Sequence, residues 1–293
     1  MIRAALSLIL ALALAACGQE PKRDDLPPPT PALWQVTAPD GKSAGWLFGT
    51  IHALPAGAEW RTPAIDKAVV EADLLVVEAK DLEDTGRLAA TFTRLSHTAD
   101  MPPLSERVPD GLRGNLRKLL AKGGYREADF KAVETWAAAI MLAQLADDSI
   151  GENGVDRALL KDFKARSIEE FEGVEGQFAI FDALPEADQR DLLGAVVEED
   201  TMDAGDTARL AKLWLRGDMD AIAREGDEGM LADPELKQVL LVDRNKAWAD
   251  KLLAIYASGK RPLVAVGAAH LAPPGGLPEL LAAKGYKVTR VSQ

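Results

Sequence analysis

Three histidines occur in the chain, and two of them stand in the same setting. Each ends a run of apolar residues in the pattern Gly-x-x-His and precedes a Pro/Gly turn. The first run is Trp46-Leu47-Phe48-Gly49-Thr50-Ile51-His52, and the second is Leu263-Val264-Ala265-Val266-Gly267-Ala268-Ala269-His270. A short apolar run bounded by turn signals reads as a buried strand, and a residue just past its carboxyl end lies where α/β sheets hold their ligands. If the two strands are neighbours, residues near the two ends of the chain present two imidazoles to one cleft. A third strand, Leu74 to Val77, ends in Glu78 one crossover after His52, which brings a carboxylate to the same edge. Two imidazoles and a carboxylate are a common ligand set for zinc, manganese or iron, with positions left for water and substrate. A metal so held lowers the pKa of its water into the neutral range and supplies hydroxide for attack on a carbonyl. His52, His270 and Glu78 are therefore the candidate ligands of a divalent ion. If Glu78 is instead the general base, another carboxylate must complete the site.

Further residues have chemistry open to them. Arg244 interrupts an apolar helix face in Leu240-Leu241-Val242-Asp243-Arg244-Asn245, where it either forms an ion pair or stabilises negative charge developing on a substrate. Glu172 and Glu175 follow a short apolar run and are either proton carriers or solvated turn residues. Gly41-Lys42-Ser43-Ala44-Gly45 matches Gly-x-Ser-x-Gly, but it falls in a hairpin turn and not at a strand-to-helix elbow, so no serine nucleophile is expected there. His97 reads as a loop residue without a role.

The scaffold that carries these groups can be read from pattern. Leu33 to Val36 and Gly45 to Thr50, separated by Pro39-Asp40-Gly41, predict an opening hairpin. A helix with Ile65, Ala68, Val69 and Ala72 on one face then leads to the strand ending at Glu78. The middle is helical, with helices predicted over 112–121, 127–145 and 156–164, a short strand over 167–171, further helix from 185 to about 224, and a helix over 234–257 carrying Arg244. The end repeats the opening in outline: strand, Gly-x-x-His, turn, helix 277–283, strand 286–291. The expected fold is α/β, with a central mixed sheet built from two β-α-β arms and a helical insertion between them.

The amino terminus belongs outside that fold. Arg3 and the apolar stretch Ala4 to Ala16 have the charge and length of an export signal, too short to span a bilayer as a mature helix. Leu14-Ala15-Ala16-Cys17 is similar to a bacterial lipobox, with Cys17, the one cysteine of the chain, as the lipid attachment point. Gly18, not aspartate, comes after it, which favours the outer membrane, with the domain facing the periplasm. Residues 1–16 are thus expected as signal peptide, 17–32 as a lipidated, proline-rich tether, and 33–293 as the folded domain. With 34 basic and 46 acidic residues, the net charge is −12, and no basic cluster stands out. A nucleic-acid partner is excluded on that ground, because neutralising phosphates needs a concentrated basic surface.

With both Gly-x-x-His motifs, the strand-end glutamate and the Arg-Asn helix in this order, the chain resembles the TraB/GumN family, whose wider superfamily includes the Tiki proteases and erythromycin-esterase-like enzymes. The resemblance spans about residues 33–291. It implies an α/β fold and a metal-dependent hydrolase site in which His52, Glu78, His270 and Arg244 are the carried-over positions. Glu172 matches a middle Leu-Glu-Thr-like motif that departs here to Phe171-Glu172-Gly173, while Glu175 and Gln177 keep part of its continuation. The expected function is a lipid-anchored, metal-dependent envelope hydrolase acting on peptide or protein substrates, with manganese, zinc or a similar ion as cofactor. Two alternatives stand beside it: a non-catalytic binding or regulatory lipoprotein on the same fold, and an esterase that uses an imidazole base without a metal.

Overall fold

The computed structural model describes residues 26–292 apart from 56, 82–83, 147–153, 200–204 and 229; the expected signal peptide, Cys17 and most of the tether lie outside the described residues. The chain opens with β1 (Leu33–Thr37) and β2 (Ser43–Thr50), an antiparallel hairpin in which Leu33 faces Phe48 across the ladder. Helix α1 (Pro63–Glu71) starts with proline at its first position, where the missing N–H costs nothing, and the Thr62 hydroxyl accepts the Ile65 N–H. Its Ile65, Ala68 and Val69 are buried, and it delivers the chain to β3 (Leu74–Val77), four apolar residues buried on both faces. Such a run suits the interior of a parallel sheet.

The middle region contains α2 (Thr85–Leu95), α3 (Arg113–Lys122), α4 (Thr135–Ala146), α5 (Val155–Asp162), strand β4 (Ser167–Glu170), α6 (Gly173–Asp182), α7 (Glu186–Glu199), α8 (Gly205–Arg216) and α9 (Met219–Glu228). A short α10 (Pro234–Lys237) runs through a π-helical turn at Gln238–Val242 into α11 (Asp243–Ala257). The chain ends with β5 (Pro262–Gly267), α12 (Leu277–Ala283) and β6 (Lys287–Arg290). The helix expected over 127–145 is interrupted. Only Glu127–Phe130 forms a 3₁₀ turn, and Val133 instead bridges to His97. The buried Arg107 guanidinium binds the Phe130 and Val133 carbonyls, which gives that backbone partners outside a helix.

Among the described residues six strands form one mixed sheet in the order β4-β3-β5-β2-β1-β6. β4, β3, β5 and β2 run parallel to one another, with Val77 beside Glu170 and Ala265, and Thr50 beside Gly267. The two Gly-x-x-His strands are thus immediate neighbours, and the Glu78 strand flanks them. β1 and β6 complete the sheet as antiparallel partners of β2 and β1. Two apolar cores result. One surrounds the sheet and takes Phe48, Leu75, Val264, Trp214 and Trp248; the other fills the helical region with Leu116, Trp136, Phe178, Phe181 and Leu193. The segment 234–257 belongs to both, with Leu236 and Leu240 in the helical core and Trp248, Ala249 and Leu252 in the sheet core.

Candidate active site

Four adjacent parallel strands each deliver one chemically active side chain beyond their carboxyl ends: Glu172 after β4, Glu78 after β3, His270 after β5 and His52 after β2. This is the sheet edge at which α/β folds bind ligands. The glycines of the motifs serve the approach. Gly49 packs against Ala268, where an added Cβ would stand 3.2 Å from its Cα and Cβ, and the Gly267 N–H donates to Glu78 Oε1 at 2.9 Å. Beyond β4, Gly173 takes φ +69, a left-handed conformation that favours glycine. That turn lets the N–H groups of Glu172 and Gly173 both donate to the Glu78 carbonyl at 3.1 Å, tying the two glutamates together through their backbones.

Helix α11 lies across this edge and contributes Arg244, Asn245 and Trp248. Arg244 Nε and Nη2 form a two-point contact with the Glu172 carboxylate, both at 2.8 Å. Nη2 also donates to Glu78 Oε2 at 2.7 Å, and Nη1 donates to the Leu240 carbonyl at 3.0 Å and lies 3.2 Å from His270 Nε2. A guanidinium has five N–H donors, and these contacts account for all five. The Leu240 carbonyl lies within the π-helical turn, where the widened ladder leaves room for a side-chain donor. Glu78 and Arg244 both favour their charged forms. Burial alone would lower the arginine, but Glu78 and Glu172 hold it above its ordinary value. Burial would raise Glu78, and the Arg244 guanidinium holds it below the usual carboxylate range.

His270 is fixed in one tautomer. The Asn245 side-chain oxygen lies 2.6 Å from Nδ1 while its amide donates to the Gly275 carbonyl, so Nδ1 carries the hydrogen and Nε2 presents its lone pair to Arg244. The ring lies 4.3 Å from that of Trp248, which stacks on Phe171 at 4.8 Å and donates its Nε1 hydrogen to Glu172 Oε1 at 2.9 Å. Burial pushes the His270 pKa down to about 3, so it is a neutral acceptor at physiological pH.

His52 has a different environment. Its Nδ1 lies 2.8 Å from Asp156 Oδ2, with the two side chains 27% and 13% exposed. Asp156 is half-buried at the start of α5; desolvation would raise its pKa, but the His52 ring holds it below the usual range. Helix α5 reaches this position because Gly154 has no side chain: a Cβ there would stand 2.5 Å from the His52 carbonyl. The Val155 N–H then donates to the Ile51 carbonyl at 3.0 Å. His52, Glu78, Asp156 and Gln177, with apolar Val77, Ala79 and Leu160, line one cleft of about 320 Å³ counted to its open mouth. Gln177, from α6, donates its amide to Glu78 Oε2 at 3.2 Å.

The expected three-ligand metal set is not assembled in this arrangement. Among the described residues no group of three or more His, Cys, Asp or Glu side chains is placed to hold a metal ion. The donors themselves explain why. Glu78 Oε1 and His270 Nε2 are 4.0 Å apart, and both residues face the Arg244 guanidinium, a cation the chain supplies itself. Arg244, with every N–H engaged by the protein, holds Glu78, Glu172 and His270 in register. Glu172 is an Arg244 counter-ion that also accepts from Trp248. Glu175 lies outside the site as an exposed partner of Arg94 at 2.7 Å. Ser43 begins β2 at the opposite end of the strand from His52, and His97 sits in its loop bridge away from the cleft.

A model of the TraB/PrgY/gumN family matches residues 32–290. The chain belongs to that family. It is similar to proteins described as uncharacterized protein YbaP from Shigella flexneri and from Escherichia coli K12, in each case 29% identical over 259 residues that cover 86% of this chain and 92% of the relative. No solved structure matches it significantly. Three residues stand at this candidate site without having been singled out by sequence pattern: Asp156, Gln177 and Trp248. Asp156 had one weak signal, a glycine two positions before it, next to the start of the helix that carries it. Trp248 lies one helical turn after Arg244 and could have been placed beside it by that spacing.

Proposed function

We propose that this TraB/PrgY/gumN chain is a hydrolase of the cell envelope in which His52 is the general base, oriented by Asp156, and water is the nucleophile. The observation that carries the reading is the His52–Asp156 pair at 2.8 Å in the wall of an open cleft. With Nδ1 bound to the carboxylate, Nε2 is the basic atom of the neutral ring. It removes a proton from water as the oxygen attacks an ester or amide carbonyl, and it returns the proton to the departing oxygen or nitrogen. Asp156 and the ionised Glu78 in the same cleft both favour the imidazolium that forms on the way. Arg244 positions Glu78 and does not itself contact the substrate. This assignment supports the imidazole-base form of the expected hydrolase, with peptide, protein or ester substrates. A divalent ion would have to compete with Arg244 for Glu78 and His270. The lipid anchor at Cys17 and the outer-membrane location belong to the same proposal and rest on the lipobox-like sequence alone.

The test is turnover of a panel of p-nitrophenyl esters and quenched fluorescent peptides by the purified chain. Hydrolysis is expected to survive exhaustive chelation and to be lost in His52→Ala. Loss on chelation with recovery on adding manganese or zinc would overturn the metal-independent base. Binding of peptides without any cleavage would favour the non-catalytic alternative.

A further inference from the structure

Gln177 is 1% exposed and lines the cleft together with Glu78, Asp156 and the apolar Val77, Ala79 and Leu160. Its orientation is set by Glu78, whose carboxylate is held in the charged form and only accepts hydrogen bonds. The carboxamide therefore turns its NH₂ toward Glu78 Oε2, the 3.2 Å contact. Its carbonyl oxygen Oε1 is then left without a hydrogen-bond partner among the described residues. A buried acceptor without a donor is rare in folded proteins and marks a place where a donor from outside the chain belongs. Reversing the amide would set two oxygens against each other, so rotation does not remove the acceptor. Rigid amide geometry keeps Oε1 about 2.3 Å from its own nitrogen, which places Glu78 Oε2 within about 5.5 Å of it.

We infer that this part of the cleft is a subsite for a primary ammonium group, with Gln177 Oε1 accepting one of its hydrogens and Glu78 supplying the opposite charge. The inference deepens the hydrolase reading above and rests on it for the substrate class, which becomes peptides that present a free amine, at the amino terminus or on a lysine side chain. Several features select a cation over a neutral donor. The cleft walls hold two carboxylates, Glu78 and Asp156, and no lysine or arginine lines them. Arg244, the cation nearby, has given its hydrogens to Glu78, Glu172, Leu240 and His270 and has none left for Oε1. An ammonium group has three N–H donors and no acceptor, and a hydrogen bond from a charged donor is roughly twice as strong as one between neutral groups. Val77, Ala79 and Leu160 suit the aliphatic carbons that carry the amine. The net charge of −12 works in the same direction, drawing cations to the chain and repelling anions.

The experiment is calorimetric titration of the purified full chain with tri-alanine amide, N-acetyl-tri-alanine amide and N-acetyl-lysine amide, with cleavage of each followed by mass spectrometry. The first carries an amine at its terminus, the second carries none, and the third carries one on its side chain only. At least one of the two amines is expected to bind about 10-fold or more tighter than N-acetyl-tri-alanine amide, and the tighter of the two identifies the source of the amine. Gln177→Met, which keeps the side-chain length but has no oxygen, is expected to bind all three alike. Equal affinity of wild type for all three, binding of none, or a preference for the amines that survives in Gln177→Met would each overturn the inference. The comparison within wild type decides the matter even if the variant fails to fold. Preferential binding of an amine without cleavage of any peptide or ester would remove the hydrolase and leave the ammonium subsite in place; cleavage without preference for an amine would do the reverse.

Discussion

His52 with Asp156 and Arg244 with its two glutamates sit on the same sheet edge yet differ in kind. The first pair lines an open cleft, its two side chains 2.8 Å apart. The second is a closed network in which Arg244 is 4% exposed and every guanidinium hydrogen has a protein acceptor. A group that exchanges a proton with substrate must be reachable from the cleft, and the His52 side chain, 27% exposed, lines it. His270 does not: Asn245 and Arg244 hold both ring nitrogens and burial holds it neutral. Two histidines with the same sequence signature thus stand in separate settings, one lining an open cleft and the other held within a closed frame.

That contrast can be broken most strongly at Arg244. Replacing it with methionine leaves Glu78 and Glu172 buried without their counter-ion, and a loss of about 3–5 kcal/mol in folding stability is expected from denaturant titration. A loss under about 1 kcal/mol would show that the network is not structural. Asp156→Asn should leave the fold nearly unchanged but reduce turnover by about 100-fold, the order set by removing the orienting partner of a general base. Equal activity of the two proteins would remove Asp156 from the mechanism.

Acid should act on the closed half. His270 has a folded pKa of about 3, below the ordinary value of 6.5, so between those values the unfolded chain binds a proton that the folded chain refuses. Stability is then complete above pH 6.5 and falls as pH drops toward 3, by about 2 kcal/mol between pH 6.5 and 5 at 1.4 kcal/mol per unit. The depressed carboxyls of Glu78 and Asp156 add a loss of the same sign at lower pH, below the ordinary carboxylate range. His270→Gln should flatten the slope above pH 5, which denaturant titrations across that range would measure. The smallest effect is expected from Trp248→Phe, which keeps the ring stacked on Phe171 but loses the hydrogen bond to Glu172, at about 1 kcal/mol.

Much of this edge was legible in the sequence because its strands are short apolar runs with turn residues at both ends. The opening hairpin, the strand ending at Glu78 and the two Gly-x-x-His strands all come from that pattern, as does the convergence of Glu78 and His270. What could not be read was the partner of each group. Asp156 reaches His52 from a helix about a hundred positions away, through a close approach that only Gly154 permits, and no local periodicity encodes such a contact. Arg244 offered two equal readings, and the choice depended on how many of its hydrogens the fold itself would occupy. The break after Phe130 was hidden for a similar reason, since Arg107, distant in sequence, binds the carbonyls that a continuous helix would have used.

The segment from Leu236 to Leu252 is shared by both apolar cores, with Arg244 between them. Peeling the helical region away from the sheet would drag the guanidinium off two carboxylates stranded in a low-dielectric interior. The charge cluster therefore works as a rivet: it penalises any half-unfolded state and binds both parts of the molecule into one cooperative melting transition.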